Sequence, residues 1–370
     1  MKFRFLALLA LVLGLASCQN DPYGLEVDSK GEAAVTLNVA LPDDATRAAG
    51  KDSAKGGVYN VDMSKYDIRY ILEVYDENNV LAKERMAHTT DATTTSFSFR
   101  LVPGRAYNFV VWADFVLEGK GTADYHYDTS AGLDEVKVKM ANWSVIDESR
   151  DAYTDVATVH NFSSTADIPS ITLTRPFAKL RVVTNDILEM ISVRPAEVKV
   201  NYFSTAFFDT FNALSETASG SVAAPQDLTV TLLDSQKNPD EVYSEGMDAE
   251  TGKRTLFADY FFGAKDNRVM FTMDVKDNGG KDLPQVTFNT NIPVQRNYLT
   301  TIYGPVLTDS NNITVTIKDA FDGYINVGGN VVTTDAELRA ALNQDVENIS
   351  IVLGADLSLD VNSSRTYNIG

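Results

Sequence analysis

Short runs of alternating apolar and polar residues recur along most of this chain. The clearest run covers positions 35–41, where Val35, Leu37, Val39 and Leu41 alternate with smaller or polar residues. A period of two predicts a β-strand with one buried face. Similar runs predict further strands at 68–74, 97–101, 107–111, 171–182, 198–202, 269–275, 286–288 and 313–317.

Turn residues separate these runs. Pro103-Gly104 lies between two alternating runs, and Asn278-Gly279 lies between two others. Such dipeptides favour hairpins. No long stretch before residue 326 has a helical period, so the pattern predicts an all-β fold built from β-sandwiches. A polar interruption at 163–168 marks the predicted boundary between two of them.

The pattern changes in the tail, residues 327–370. Thr334 and Glu337 have the spacing of a helical capping box, and Leu338 and Leu342 are spaced to share one helical face. Positions 349–353 and 357–361 then alternate as strands do. We therefore expect a short helix-strand extension after the sandwiches.

The N-terminus has the parts of a secretory signal in their usual order. Lys2 and Arg4 precede an apolar run at 5–16, and small residues follow it. The run is shorter than the roughly 20 residues that a membrane-spanning helix needs. We expect a signal peptide over residues 1–17.

Leu15, Ala16, Ser17 and Cys18 resemble a bacterial lipobox, and Cys18 is the only cysteine in the chain. The resemblance implies that Cys18 becomes the N-terminus and carries acyl chains, of which two or more anchor a protein firmly. No Asp directly follows Cys18, which by resemblance to lipoprotein sorting rules favours the outer membrane. The sequence does not decide whether the protein faces the periplasm or the outside of the cell. An ordinary signal peptide with an incidental cysteine is the alternative.

Charge narrows the set of partners. The chain carries 51 acidic and 32 basic residues, a formal net charge of −19. An acidic surface argues against binding nucleic acid or anionic headgroups through a basic patch. The acidic residues are scattered, so we expect most of them on solvated faces. With one cysteine, the fold depends on burial rather than on disulfides.

Candidate catalytic chemistry is sparse. His88, His126 and His160 lack the spacing of metal ligands and are expected to be ordinary surface or core residues. There is no Gly-x-Ser-x-Gly elbow and no phosphate loop. So many acidic residues make any single carboxylate pair uninformative. We expect no enzyme, no cofactor and no metal site.

Three segments together resemble the fimbrillin superfamily of the Bacteroidetes, the lipoprotein pilins also called type V. They read LVPGRAYNFVVWAD at 101–114, LTRPFAKLRV at 173–182 and NIPVQRNYLTTIYG at 291–304. The resemblance implies two tandem transthyretin-like Greek-key β-sandwiches. With the patterns above, it predicts a tether at 18–32, sandwiches at 33–164 and 165–326, and the tail at 327–370.

The resemblance also implies strand exchange. In polymerising relatives, a trypsin-like protease cuts after a basic residue beyond the first strand, and a strand from the next subunit replaces the one removed. Here the replaceable strand contains Val35, Leu37, Val39 and Leu41, and Arg47 is the candidate processing site. The alternative is that Arg47 is an ordinary surface loop residue.

The expected protein is therefore a non-enzymatic, lipid-anchored surface or fimbrial subunit that acts in adhesion and has other fimbrial subunits as partners. A glycan-binding surface lipoprotein is the alternative, with Trp112, Trp143 and exposed members of the 16 tyrosines as stacking platforms. A passive envelope lipoprotein is a third. The tail resembles the first coil of a parallel β-helix. It is interpreted as part of an adhesive or glycan-binding module, a docking element, or a donor strand at 349–353.

Overall fold

The computed structural model describes residues 25–42, 61–190, 194–203, 207–232, 254–263, 267–309, 313–319, 331–332 and 352–353. This part of the chain is all-β, which confirms the predicted fold class. Its only helices are short 3₁₀ turns at Leu133–Glu135, Met140–Asn142, Glu148–Arg150, Thr165–Asp167 and Ile187–Glu189.

The strands are numbered in chain order. The first nine are β1 (Ala33–Ala40), β2 (Tyr66–Asp76), β3 (Met86–Thr90), β4 (Thr94–Leu101), β5 (Tyr107–Leu117), β6 (Tyr127–Asp128), β7 (Val136–Val138), β8 (Ala152–Val159) and β9 (Ile171–Thr172). The others are β10 (Phe177–Thr184), β11 (Pro195–Tyr202), β12 (Thr210–Asn212), β13 (Thr217–Ser219), β14 (Leu228–Thr231), β15 (Arg254–Phe262), β16 (Arg268–Asp277), β17 (Val286–Pro293), β18 (Tyr298–Gly304), β19 (Thr314–Asp319), β20 (Val331–Val332) and β21 (Val352–Leu353).

The first sandwich packs a three-stranded sheet, β4-β1-β9, against a four-stranded sheet, β3-β2-β5-β8. Alternate residues of these strands meet in the first core, which includes Leu37, Tyr70, Phe97, Phe109 and Phe162. The Asn78-Asn79 and Pro103-Gly104 regions turn the chain between strands, with Asn79 and Gly104 at positive φ.

The second sandwich packs β15-β10-β18-β19 against β14-β11-β16-β17. Its core includes Leu180, Val200, Phe257, Phe271 and Ile302. The predicted hairpin at Asn278-Gly279 joins β16 and β17, which pair antiparallel.

A mixed sheet and a third core connect the two sandwiches. The sheet β13-β12-β7-β6 takes two strands from each half of the chain, and β7 pairs with β12. The junction core contains Trp112 and Tyr127 from the first half and Phe177, Phe211 and Phe262 from the second. Strands β2, β5, β10 and β15 are therefore buried on both faces, which explains their nearly continuous apolar sequences.

The predicted boundary at 163–168 stays a prediction, and β9, which follows it, pairs with β1 of the first sandwich. In the tail, β20 and β21 pair in parallel. The expected helix after Thr334 and the other predicted tail strands lie outside the described residues.

Candidate functional site: β1 and the sheet around it

β1 carries its Val and Leu side chains on one face. Val35, Leu37 and Val39 are at most 2% exposed, and Leu41, one residue beyond the strand, is 3% exposed. The residues between them point outward and are exposed or half-buried. The structure thus brings the four residues of the predicted replaceable strand onto the same wall of the first core.

The two edges of β1 are held very differently. On one edge, β1 pairs antiparallel with β4 along its whole length, from Ala33↔Leu101 to Ala40↔Thr94. On the other edge, β9 pairs in parallel at only two positions, Val39↔Ile171 and Ala40↔Thr172. A single bridge from Val27 to Ala33 is added at the start of the strand. β1 is therefore an inner strand whose second neighbour covers only its last residues.

The energy that β1 contributes is large compared with the stability of a domain. Burial of a Val or Leu side chain stabilises a fold by about 1.5–3 kcal/mol, so the four side chains contribute on the order of 6–12 kcal/mol. Whole domains are stable by only about 5–15 kcal/mol. A first sandwich without β1 would expose its core and the unpaired edges of β4 and β9, and a strand with the same alternation would restore both.

A shallow cavity of about 510 Å³ lies on the outer face of this sheet, at the C-terminal end of β1. Its lining is uncharged and rich in hydroxyl and amide groups, and consists of Asn38, Val39, Ala40, Thr94, Thr95, Ser96, Ser170, Ile171 and Thr172. The cavity crosses β4, β1 and β9, so its shape depends on β1 being in place.

The other predicted site residues lie outside the described residues. These are the lipobox residues Leu15, Ala16 and Ser17, the lipidation site Cys18, and Arg47. The described chain stops at Pro42, directly after β1, and resumes at Val61. Arg47 belongs to the stretch between them.

The histidines are far apart and differ in environment. His126 is 3% exposed, its Nε2 lies 2.9 Å from Ser149 Oγ, and burial lowers its pKa to about 4. His88 is half-buried beside Thr95, and burial lowers its pKa too. His160 is exposed. Among the described residues, no group of three His, Cys, Asp or Glu side chains is arranged to hold a metal.

The two tryptophans are buried or covered to different degrees. Trp112 is completely buried in the junction core, 5.6 Å from the ring of Tyr127. Trp143 is partly buried, and the guanidinium of Arg150 lies 4.2 Å above its ring. Trp112 is therefore not accessible as a glycan platform, and a role for Trp143 stays a prediction.

The structure contains a set of buried ion pairs that the sequence analysis does not predict, because it places most acidic residues on solvated faces. Arg69 donates to both carboxylate oxygens of Asp114, at 2.8 and 2.6 Å, inside the first half of the molecule. A signal was available: Asp114 follows Trp112 in a run that is apolar on both faces. A carboxylate in such a strand is buried and needs a cation.

Three more buried pairs lie where the two halves meet. Arg175 Nε donates to Asp151 Oδ2 at 2.7 Å, and Lys179 Nζ donates to Glu148 at 2.6 Å. The third pair is Arg150 with Asp259. Burial raises the pKa of Asp151, and the neighbouring Arg175 opposes this effect. These groups join sheets rather than face a cleft.

Comparison with known families identifies the chain. The family model described as a family of unknown function, DUF6562, matches residues 27–351. The chain belongs to the DUF6562 family. The matched range contains every described strand from β1 to β20, so the DUF6562 match includes both sandwiches and the junction between them. No curated protein matches the chain.

Solved structures similar to this DUF6562 chain include proteins from Bacteroides and Porphyromonas. A candidate cell adhesion protein from Bacteroides ovatus has a TM-score of 0.45 and 8% identity, covering 78% of this chain and 98% of that one. One from Bacteroides eggerthii has a TM-score of 0.39 and 11% identity, covering 77% and 94%. The fimbrial anchor protein Mfa2 from Porphyromonas gingivalis has a TM-score of 0.33 and 11% identity, covering 78% and 98%.

No described helix is long and apolar enough to cross a membrane.

Proposed function

We propose that this protein is a non-enzymatic, lipid-anchored surface subunit that acts in adhesion or as part of a fimbria, and that β1 is a replaceable strand. The observation that carries the proposal is the construction of β1. It has one fully buried face, it is paired along its whole length with β4, and it is followed directly by the stretch that contains Arg47.

Strand replacement follows from the physics of this arrangement. A sheet that loses an inner strand is left with unpaired backbone groups and empty side-chain positions, which an extended peptide satisfies. The required peptide alternates, with apolar residues at the positions of Val35, Leu37, Val39 and Leu41. The partner is therefore another subunit that presents such a strand.

The proposed anchor is Cys18. Support comes from the order of basic, apolar and small residues before it, and from the polar spacer that separates it from β1. An outer-membrane lipoprotein exposed at the cell surface or built into a fimbria would carry its sandwiches on this tether.

A non-enzymatic role is supported by where three groups with pKa values shifted by burial lie. Catalytic groups with perturbed pKa values line accessible clefts. Here His126, Asp151 and Asp259, whose pKa values are shifted by burial, are at most 5% exposed. They are buried in the packed interior, where a substrate has no access. Glycan binding stays the alternative proposal.

Cleavage by an arginine-specific endoprotease tests the processing step. Arg47 is the only arginine between residues 42 and 61, so the enzyme cuts that stretch once. We expect one cut within this stretch of the folded, unlipidated protein, followed by replacement of the β1 fragment and ordered oligomers on size-exclusion chromatography.

The matched control is Arg47→Gln, which should not be cut between residues 42 and 61 and should stay monomeric under the same digestion. A wild-type protein that is cut after Arg47 yet remains monomeric, with the β1 fragment still bound, would contradict the polymerising form of the proposal.

A further inference from the structure

The segment that links the two sandwiches is in contact with β1 at its first residues. Ile171 pairs with Val39, and Thr172 pairs with Ala40. The amide of Leu173 then donates to the carbonyl of Ala40 at 2.9 Å. β1 therefore fixes the beginning of the linker through both side-chain packing and backbone hydrogen bonds.

The middle of the linker is fixed to β8. Thr154 and Thr174 exchange two backbone hydrogen bonds, of 2.7 and 3.0 Å. The next residue, Arg175, forms the buried pair with Asp151, and its guanidinium lies 5.0 Å from the ring centroid of Tyr153. The Tyr153 hydroxyl donates to the same carboxylate at 2.9 Å.

The end of the linker is fixed to the second sandwich. The Asn297 amide donates to the Phe177 carbonyl at 2.6 Å, and the Gly263 amide donates to the Pro176 carbonyl at 3.2 Å. Phe177 stacks on Phe262 in the junction core, with 4.9 Å between ring centroids. The linker 171–177 is thus held first by β1, then by β8, and at its end by the second sandwich, whose Asn297 and Arg296 also bond to Arg175.

A second segment of the first half, residues 146–150, contacts β15 and β10 of the second sandwich. The Ile146 amide donates to the Ala258 carbonyl at 2.8 Å, and Arg150 donates to the Tyr260 carbonyl at 3.0 Å. Glu148 pairs with Lys179. The contacts that hold the junction closed therefore lie next to Asp151, the residue that Arg175 of the linker must neutralise.

We propose that β1 controls the junction through this linker: with β1 in place the two sandwiches are locked together, and with β1 withdrawn the junction loosens and the second sandwich can reorient. Release of β9 frees the start of the linker. Displacement of Arg175 would leave Asp151 as an uncompensated buried charge, which a fold does not tolerate well. Arg175 and Asp151 therefore move together, and a shift of the linker is passed to the junction contacts beside Asp151.

The functional part of this inference rests on the proposed strand exchange, because exchange is the event that would withdraw β1. The coupling itself is a property of the intact protein. Through this coupling, strand exchange in the first sandwich would also change the second sandwich. The strand-exchange proposal alone makes no statement about the second sandwich.

Hydrogen exchange on uncut protein tests the coupling with a matched pair of variants. Val39→Ala and Val35→Ala remove the same atoms from the same face of β1, at equal 2% exposure. Only Val39 is paired with β9. We expect Val39→Ala to speed amide exchange in peptides covering 171–176, 148–151 and 258–262, and Val35→Ala to affect only β1 and β4.

Ile171→Val is the gentler second variant. It leaves β1 unchanged, and its loss of one methylene should still speed exchange in the 258–262 peptides by roughly two- to tenfold. Equal exchange at 148–151 and 258–262 in wild type, Val39→Ala and Ile171→Val would overturn the coupling. So would an equal increase in Val35→Ala. Since no protease or partner is used, failure here is distinct from failure of strand exchange.

Discussion

At the scale of single residues, the chain relies on charges placed in apolar surroundings. Arg69 and Asp114 pair within one sheet, whereas Arg175 and Asp151 pair across the junction. Removing one member of such a pair leaves a buried charge without a partner and costs about 3–5 kcal/mol. Asp114 could have been predicted from its two-sided apolar run, but its partner could not, because pairing of β2 with β5 is set by tertiary structure.

His126 should make the stability of the protein depend on pH. Burial lowers its pKa to about 4, whereas an unfolded histidine titrates near about 6.5. The unfolded state then binds the proton more readily, so stability is lost as pH falls from about 6.5 towards 4, by up to roughly 3 kcal/mol.

Urea unfolding at several pH values measures this contribution. His126→Gln should flatten the decline between pH 6.5 and 4 relative to wild type, because the titrating group is gone. The exposed His160 supplies the control, and His160→Gln should keep the wild-type decline. Identical pH profiles for wild type and His126→Gln would show that His126 does not carry the effect.

At the scale of elements, the alternation of apolar and polar residues predicted β1 itself but not both of the strands that pair with it. The run at 35–41 predicted a strand with Val35, Leu37, Val39 and Leu41 buried, and the structure has that face in the first core. β1 also pairs with β9, where Ile171 lies 132 residues after its partner Val39. No local sequence pattern indicates this pairing. The β9 residues that border the replaceable strand therefore could not be predicted from the sequence.

The two faces of β1 should respond very differently to substitution. Leu37 is fully buried, so Leu37→Ala should destabilise the protein by about 2–5 kcal/mol. Its neighbour Asn38 faces outward and is exposed, so Asn38→Ala should change stability by no more than about 0.5 kcal/mol. Chemical denaturation of both variants checks the difference, and similar losses would contradict the assigned faces.

At the scale of the whole molecule, the sequence predicted two sandwiches but not their fusion. The mixed sheet and the junction core combine residues far apart in the chain, such as Trp112 with Phe262. Continuous apolar runs in β5 and β15 indicate strands buried on both faces, yet they do not say which sheets cover them. The linker 171–177, rich in such contacts, connects β1 to this shared interior.

Strand replacement is the central claim, and peptide exchange tests it most directly. After cleavage at Arg47, the protein is incubated with a labelled peptide of residues 32–42 and analysed by size-exclusion chromatography and mass spectrometry. We expect the peptide to enter the first sandwich and displace the original β1 fragment, and the same peptide carrying Leu37→Asp to stay out. A cleaved protein that keeps its own fragment and excludes both peptides would contradict the claim.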